Sequence, residues 1–343
     1  MRLRRWLAAS LGAVFLCLNA TAGASGGYAS IRDLRKTLPQ RWTGEYVVAH
    51  GDGVHLMDGD TVKVDVPVIV PEVEKVPAVR ITWGGPYTDL NESVVVDENT
   101  ENHLVAEFPV VPGQGFSREQ AAETYIQSLK ENIGEMEERT LTNYLLREET
   151  SEQYGRRFWM AFYSSFHGIP YLIGQNFRLE APGEKEGDLP PVPANVSQGA
   201  LLADRVGVTL CAPRETGVDR DDLPLLDFGE ILKVFEQWVK DGYVYSLEEM
   251  RFGYMAFIDP KRKGEEFVLL PVWTAKGITR GTLSMPFCPS EDPESLAFMA
   301  YMNPTVCAVN AQTGERFAFA EDTRAERRYL PAFLTWDDVM KNQ

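Results

Sequence analysis

Gly253-Tyr-Met-Ala-Phe-Ile-Asp-Pro260, followed after a short polar stretch by Phe267-Val-Leu-Leu-Pro-Val-Trp273, is the part of the chain whose reading decides the fold. Both runs are continuously apolar, too short for helices and rich in aromatic and β-branched residues, which identifies buried strands. A polar turn, Val309-Asn-Ala-Gln-Thr-Gly-Glu315, returns the chain a third time. The predicted unit is an antiparallel meander over residues 246–258, 267–275, 298–309 and 317–320, with Pro271 at an edge or bulge and Trp273 as its anchor. Just upstream, Asp227 with Glu230 reads as a helix cap, Ile231, Leu232, Phe235, Trp238 and Val239 recur at helical spacing, and Gly242 marks the stop. A helix packed across an antiparallel sheet is an α+β unit.

The first half of the chain repeats that order. Ser117 and Gln120 form a capping box, with Phe116 placed to staple the first turn, and Tyr125, Ile126, Leu129, Ile133 and Met136 make an apolar face. Strands are expected at 158–166 and 169–177, joined as a hairpin at His167-Gly168. Residues 180–196 are rich in Pro, Gly and Glu, the composition of a linker, and a further strand is expected at 203–211. The predicted architecture is therefore α+β, two tandem units of antiparallel sheet with one packed helix each: residues 25–179, a linker at 180–197, and residues 198–343.

A β-rich extension precedes the first unit. Ser30 caps a short helix carrying Ile31, Leu34 and Leu38, strands are expected at 45–50 and 53–57, and Val62, Val64, Val66, Val68 and Val70 alternate as a half-buried strand. Pro67 places that strand at a sheet edge. Strands at 78–83 and 104–111 follow, separated by a polar loop at 89–102.

The N-terminal residues 1–24 read as an export signal. Arg2, Arg4 and Arg5 precede an uncharged apolar run at 6–18, too short for a membrane span, and Ala22-Gly23-Ala24 offers a cut site after Ala24. Cys17 supplies the competing reading, a lipid anchor, against which stand the large residues Phe15 and Leu16 where a lipoprotein signal needs small ones. The formal charge of −16 becomes more negative once the three arginines leave, and a chain so acidic, with no basic stripe, is excluded as a nucleic-acid binder. Cys211, Cys288 and Cys307 remain after cleavage; a single Cys288–Cys307 bridge and three buried thiols are both compatible with that count.

No catalytic, cofactor or metal site is assigned. His50, Asp52, His55, Asp58 and Asp60 lie close together, but their spacing matches neither a helical His pair nor a calcium loop, and Gly-Asp-Gly and Asp-Gly-Asp are ordinary turn sequences. His167, near Ser164 and Ser165, reads as a turn histidine between aromatic strands. Gly84-Gly85-Pro86 lacks the lysine and helix start of a phosphate loop. Tyr254, Trp273 and the Gln312 turn mark the sheet to inspect first for a functional surface, although core and turn roles suit those residue types better.

The order of helix, "GYMAFIDP", "FVLLPVW" and "VNAQTGE" resembles the C-terminal half of the YycH and YycI regulators and PepSY-type domains of exported Gram-positive proteins. The chain as a whole resembles a family of secreted or lipid-anchored bacterial proteins of unknown function, through "LPQRW", "VKVDVPVIVP", "GFSREQAAETYI", "PVW" and "NAQTGE". That resemblance implies an extracytoplasmic location, a helix on a small antiparallel sheet, and no catalytic residues to transfer. The expected function is a non-enzymatic envelope protein that binds or restrains another protein, a sensor kinase or a peptidase. The alternative is binding or hydrolysis of cell-wall fragments in an acidic cleft between the two units.

Overall fold

A computed structural model of the chain describes residues 27–83, 95–96, 103–109, 117–132, 144–151, 155–173, 196–201, 205–211, 213–259, 261, 266–279, 306–318 and 331–341. Its spine is an antiparallel pair of long strands, β15 (Val244–Ile258) and β16 (Glu266–Thr279), which contain the two apolar runs. Each strand is longer than any neighbour and takes a different one along each half. On the outer side of β15, β3 (Thr61–Ile69) pairs in parallel with Met250 and Arg251, and β10 (Ile169–Ile173) pairs in parallel with Tyr254 and Met255. On the outer side of β16, β4 (Ala78–Trp83) takes Glu266 to Leu269, and β17 (Val306–Asn310) takes Val272 to Lys276.

Both handovers fall at one level, where Gly253 faces Val272 and Tyr254 faces Pro271. Proline has no N–H to give a neighbouring strand and is tolerated inside a sheet only where none is required. Pro271 lies between Leu269, the last residue paired with β4, and Val272, the first paired with β17. The expected edge or bulge is thus corrected: Pro271 stands in a central strand, at a gap between two neighbours. Gly253 does the corresponding work on β15, since a Cβ there would stand 2.5 Å from the Pro170 carbonyl oxygen of β10. The two halves of the sheet then run β2 (Arg41–Val47), β3, β15, β16, β17, β18 (Arg316–Ala318), and β9 (Ser165–Phe166), β10, β15, β16, β4, β13 (Pro213–Arg220).

The expected edge position of the valine-rich strand is also corrected. β3 lies between β2 and β15, and its Val62, Val64 and Val66 are buried. The Val68 N–H donates to Gln40 on the β2 side, so alternation directs the missing N–H of Pro67 to the opposite side, just before the pairing with β15 begins.

A second, fully antiparallel sheet runs β5 (Val95–Val96), β6 (His103–Pro109), β12 (Arg205–Cys211), β11 (Val196–Leu201), β8 (Gly155–Tyr163), β7 (Tyr144–Ser151), with α2 (Arg118–Asn132) against β7 and β8. The α+β class agrees with expectation, but the tandem order does not. β4 pairs with β13, so the second sheet is delivered between two paired strands of the first, and β8 runs through Ser164 into β9. Strands from both sides of the expected 180–197 linker occur in both sheets, and Val196 already belongs to β11. In α2 the reciprocal capping box is formed: the Ser117 N–H donates to Gln120 Oε1 at 2.9 Å and the Gln120 N–H to Ser117 Oγ at 3.3 Å. Ala121 and Tyr125 are buried beneath it; Phe116, Ile133 and Met136 lie outside the described residues.

The remaining elements close the larger sheet. β1 (Tyr28–Ala29) pairs with β14 (Leu225–Leu226), and α1 (Ile31–Thr37), capped by Ser30, buries Ile31 and Leu34. α3 (Phe228–Lys240) starts at Asp227, whose carboxylate accepts the Gly229 N–H at 2.8 Å. Glu230 pairs with Lys233 rather than completing a capping box. The helix buries Phe228, Ile231, Phe235, Trp238 and Val239; Phe235 packs on Trp42 of β2, and Phe228 and Phe252 flank Trp273 at 5.0 and 5.3 Å. Each such side chain contributes roughly 1.5–3 kcal/mol through burial. Across this interface the Trp42 indole donates to the Tyr46 hydroxyl at 2.8 Å, which donates to Glu236 at 3.0 Å. Beyond the sheet, Gln312 donates to the Pro224 and Leu334 carbonyls, tying the β17–β18 turn to β14 and to the segment before α4 (Trp336–Lys341).

Because β10 can approach β15 only past a residue with no side chain, Gly253→Ala is expected to lower stability by about 1–3 kcal/mol. A fall in the urea midpoint at unchanged slope checks it.

Candidate functional site: the β2–β3 loop

α3 ends in a Schellman motif that carries the loop between β2 and β3. The Tyr243 N–H bonds to the Trp238 carbonyl and the Gly242 N–H to Val239, with Gly242 at φ 66°, where L side chains are strained. The freed Lys240 carbonyl accepts the Ala49 N–H at 2.6 Å, and a Cβ on Gly242 would collide with the His50 carbonyl. Residues 48–60 thus sit directly on the end of the helix.

The loop is held by its own carboxylates. Asp52 Oδ1 accepts the N–H groups of Val54, His55 and Leu56 at 2.8–3.1 Å, while Oδ2 accepts the Tyr245 hydroxyl of β15 and lies 2.9 Å from His55 Nδ1. The His55 ring lies over Tyr245 at 5.4 Å. Asp58 accepts the Gly51 N–H and Asp60 the Met57 N–H, both at 2.8 Å. Gly53 and Gly59 take φ of 73° and 93°. The strand expected at 53–57 is therefore replaced by a turn, because each acidic side chain offers the backbone a better partner than a ladder would. The same bonds occupy the carboxylates weighed as cation ligands, and among the described residues no three His, Cys, Asp or Glu side chains converge on a common point.

The loop presents apolar and acidic side chains together. Val54 is 75% exposed and Met57 50%, with the acidic Asp58 and Asp60 exposed beside them, while Leu56 packs back onto the core. A rigid loop pointing two apolar side chains into solvent has the form of a contact tip.

The other positions weighed in the sequence fall elsewhere. His167 (φ 51°) and Gly168 (φ 76°) form the left-handed turn between β9 and β10, and His167 Nε2 lies 3.1 Å from Glu215. Tyr254, Trp273 and Gln312 are fully buried, and Tyr254 donates to the Pro77 carbonyl at 2.7 Å. The carboxyls of Asp33, Asp52 and Asp338 are all held below the usual range by hydrogen bonds, from Lys36, Tyr245 and Thr335 in turn, so these groups are committed acceptors and not proton donors. Cys211 and Cys307 lie in β12 and β17; Cys288, the Gly84–Pro86 stretch and residues 1–26 lie outside the described residues. Sequence reasoning missed Tyr245, which reaches Asp52 across 193 positions and leaves no local signal.

No family model matches the chain, and no curated protein matches it. Among solved structures, an uncharacterized protein from Eubacterium rectale superposes with a TM-score of 0.46 at 12% identity, over 82% of this chain and 94% of that one. Among the described residues no helix is long and apolar enough to cross a membrane.

Asp52 has a depressed pKa in the folded chain, so its contribution to stability is present above the unfolded carboxylate value of about 4 and is lost as pH falls through the folded value. Asp52→Asn is expected to reduce the loss of urea midpoint between pH 6 and pH 3, and parallel titrations of both proteins check it.

Proposed function

We propose that the protein is an exported, non-catalytic binding protein of the cell envelope, which engages the extracytoplasmic part of a sensor kinase or peptidase through the β2–β3 tip. The observation that carries this reading is the pairing of exposure with rigidity: Val54 and Met57 face solvent from a backbone locked by Asp52, Asp58, Asp60 and the end of α3. Ordering the loop beforehand spares a complex that entropy cost, and a few preorganised apolar side chains carry most of the energy of a typical interface. Asp58 and Asp60 beside the tip call for a partner with an apolar cleft and a basic rim. Export is supported by the basic residues, apolar run and Ala-Gly-Ala triplet at the N-terminus, and by an acidity that favours solubility.

Two measurements test this. Mass analysis of the protein recovered from its own cells is expected to show a chain beginning after Ala24; a lipid on Cys17 would show export with an anchor, and an intact Met1 is the contrary result. Crosslinking in the native envelope is expected to capture a membrane-anchored ectodomain, and Val54→Asp combined with Met57→Asp to reduce that capture at least about tenfold. A capture that the double variant leaves unchanged, or none, overturns the proposal.

A further inference from the structure

Among the described residues the outer edge of β2 is an unpaired strand edge of an unusual kind. The Val48 N–H donates to Asp60 and the Val68 N–H to Gln40, so the even-numbered residues of β2 face β3. Arg41, Thr43, Glu45 and Val47 direct their N–H and C=O groups the other way, where among the described residues no strand lies. At Ala49 that outward side is closed by the Lys240 carbonyl. The other outer strands of the same sheet are blunted in the usual ways. β13 begins with Pro213 and breaks register at Glu215/Gly217 and Val218/Arg220, while β9 and β18 span two and three residues. β2 has seven residues, no proline and no register shift.

We infer that this edge pairs with the same edge of a second copy of the chain, antiparallel about a two-fold axis at Thr43. The inference is independent of the proposed tip. In that register Arg41 stands opposite Glu45 of the second copy, and Glu45 opposite its Arg41, with two main-chain hydrogen bonds closing at each such pair. Within one copy Arg41 already contacts Asp65 at 2.6 Å and Glu45 contacts Lys63 at 3.0 Å. Joining two copies therefore builds an alternating ladder, Lys63, Glu45, then Arg41 and Asp65 of the other copy, once on each side of the axis. On the opposite face Trp42 comes opposite Gly44 of the second copy, over which that copy's own Tyr46 ring lies. Val47, 61% exposed, comes opposite the exposed Pro39.

No neighbouring register does the same. An axis at Arg41 or at Glu45 sets like charges directly opposite, which is destabilising, and an axis at Trp42 or Gly44 faces neither charge with its opposite. The charge order of Arg-Trp-Thr-Gly-Glu is complementary to itself only about its middle residue.

Sedimentation equilibrium and light scattering on the protein as the cell processes it are expected to give twice the chain mass. Arg41→Glu and Glu45→Arg are each expected to raise the dimer dissociation constant at least about tenfold, through like charges at every cross-axis pair. An equimolar mixture of the two variants is expected to recover the dimer, because each cross-axis pair in the mixed species again has opposite signs. Thr43→Pro, which removes the N–H at the axis and, among the described residues, no hydrogen bond inside the chain, is expected to give monomer. Exposed ion pairs contribute only about 0–1 kcal/mol, so both charge variants should keep the wild-type far-UV spectrum, and recovery on mixing itself demonstrates folded chains. Wild-type protein that remains monomeric at its highest soluble concentration overturns the inference. So does a dimer that both charge variants leave intact, or variants that dissociate and fail to recombine.

Discussion

A strand pair longer than all its neighbours must exchange one set of edge partners for another without leaving backbone groups stranded, and the rest of this fold depends on how β15 and β16 do so. A residue with no N–H and a residue with no side chain stand almost opposite each other at the exchange, Pro271 on one strand and Gly253 on the other. Proline asks nothing of the gap between β4 and β17, and glycine lets the Pro170 carbonyl come close. From that level the sheet divides into two halves that share a spine. α3 covers one half, and the other receives the strands that lead to and from the second sheet.

The tip follows from this arrangement at one remove. The half-sheet containing β2 and β3 needs a cover for Trp42 and Tyr46, and α3 supplies it with Phe235, Trp238 and the Tyr46–Glu236 bond. A helix so placed leaves unpaired carbonyls at its C-terminus. The Schellman turn at Gly242 satisfies some, and Ala49 satisfies that of Lys240. The loop is therefore seated on the core through the helix, and Tyr245, just past the same turn, locks Asp52 from the other side. Loop rigidity and helix termination are one set of interactions.

Local signals in the sequence were legible and non-local ones were not. Asp227, Gly242, Ser117 with Gln120, and Ser30 announced helix ends because caps act within a few residues. The alternation of Val62, Val64 and Val66, and the continuous apolar runs around Met255 and Leu269, announced strands. Which strands would pair has no local signature. The repeated helix-and-strands order suggested tandem units, whereas the chain interleaves, with β11 hidden in Val-Ser-Gln-Gly-Ala-Leu, a segment weak in β-branched residues. Pro67 and Pro271 marked sheet edges by rule but occupy gaps between neighbours, since what proline requires is the absence of one bond and not the absence of a strand. The Gly-Asp-Gly turn at 51–53 was readable from composition; the partners that make it rigid, Tyr245 and Lys240, lie far along the chain.

The interleaving also sets an order of events. β3 meets β15 through Val68 and Met250, and β4 meets β16 through Val79 and Leu269, so the first third of the polypeptide can complete its sheet only after the last third exists. Contacts of such sequence separation slow folding, because long loops must close before they are rewarded. Until Phe235 and Trp238 are synthesised, Trp42 and Tyr46 have no helix to cover them. A nascent chain that stops short of residue 244 has no strand for β3 to join, so the larger sheet closes after synthesis and not along with it.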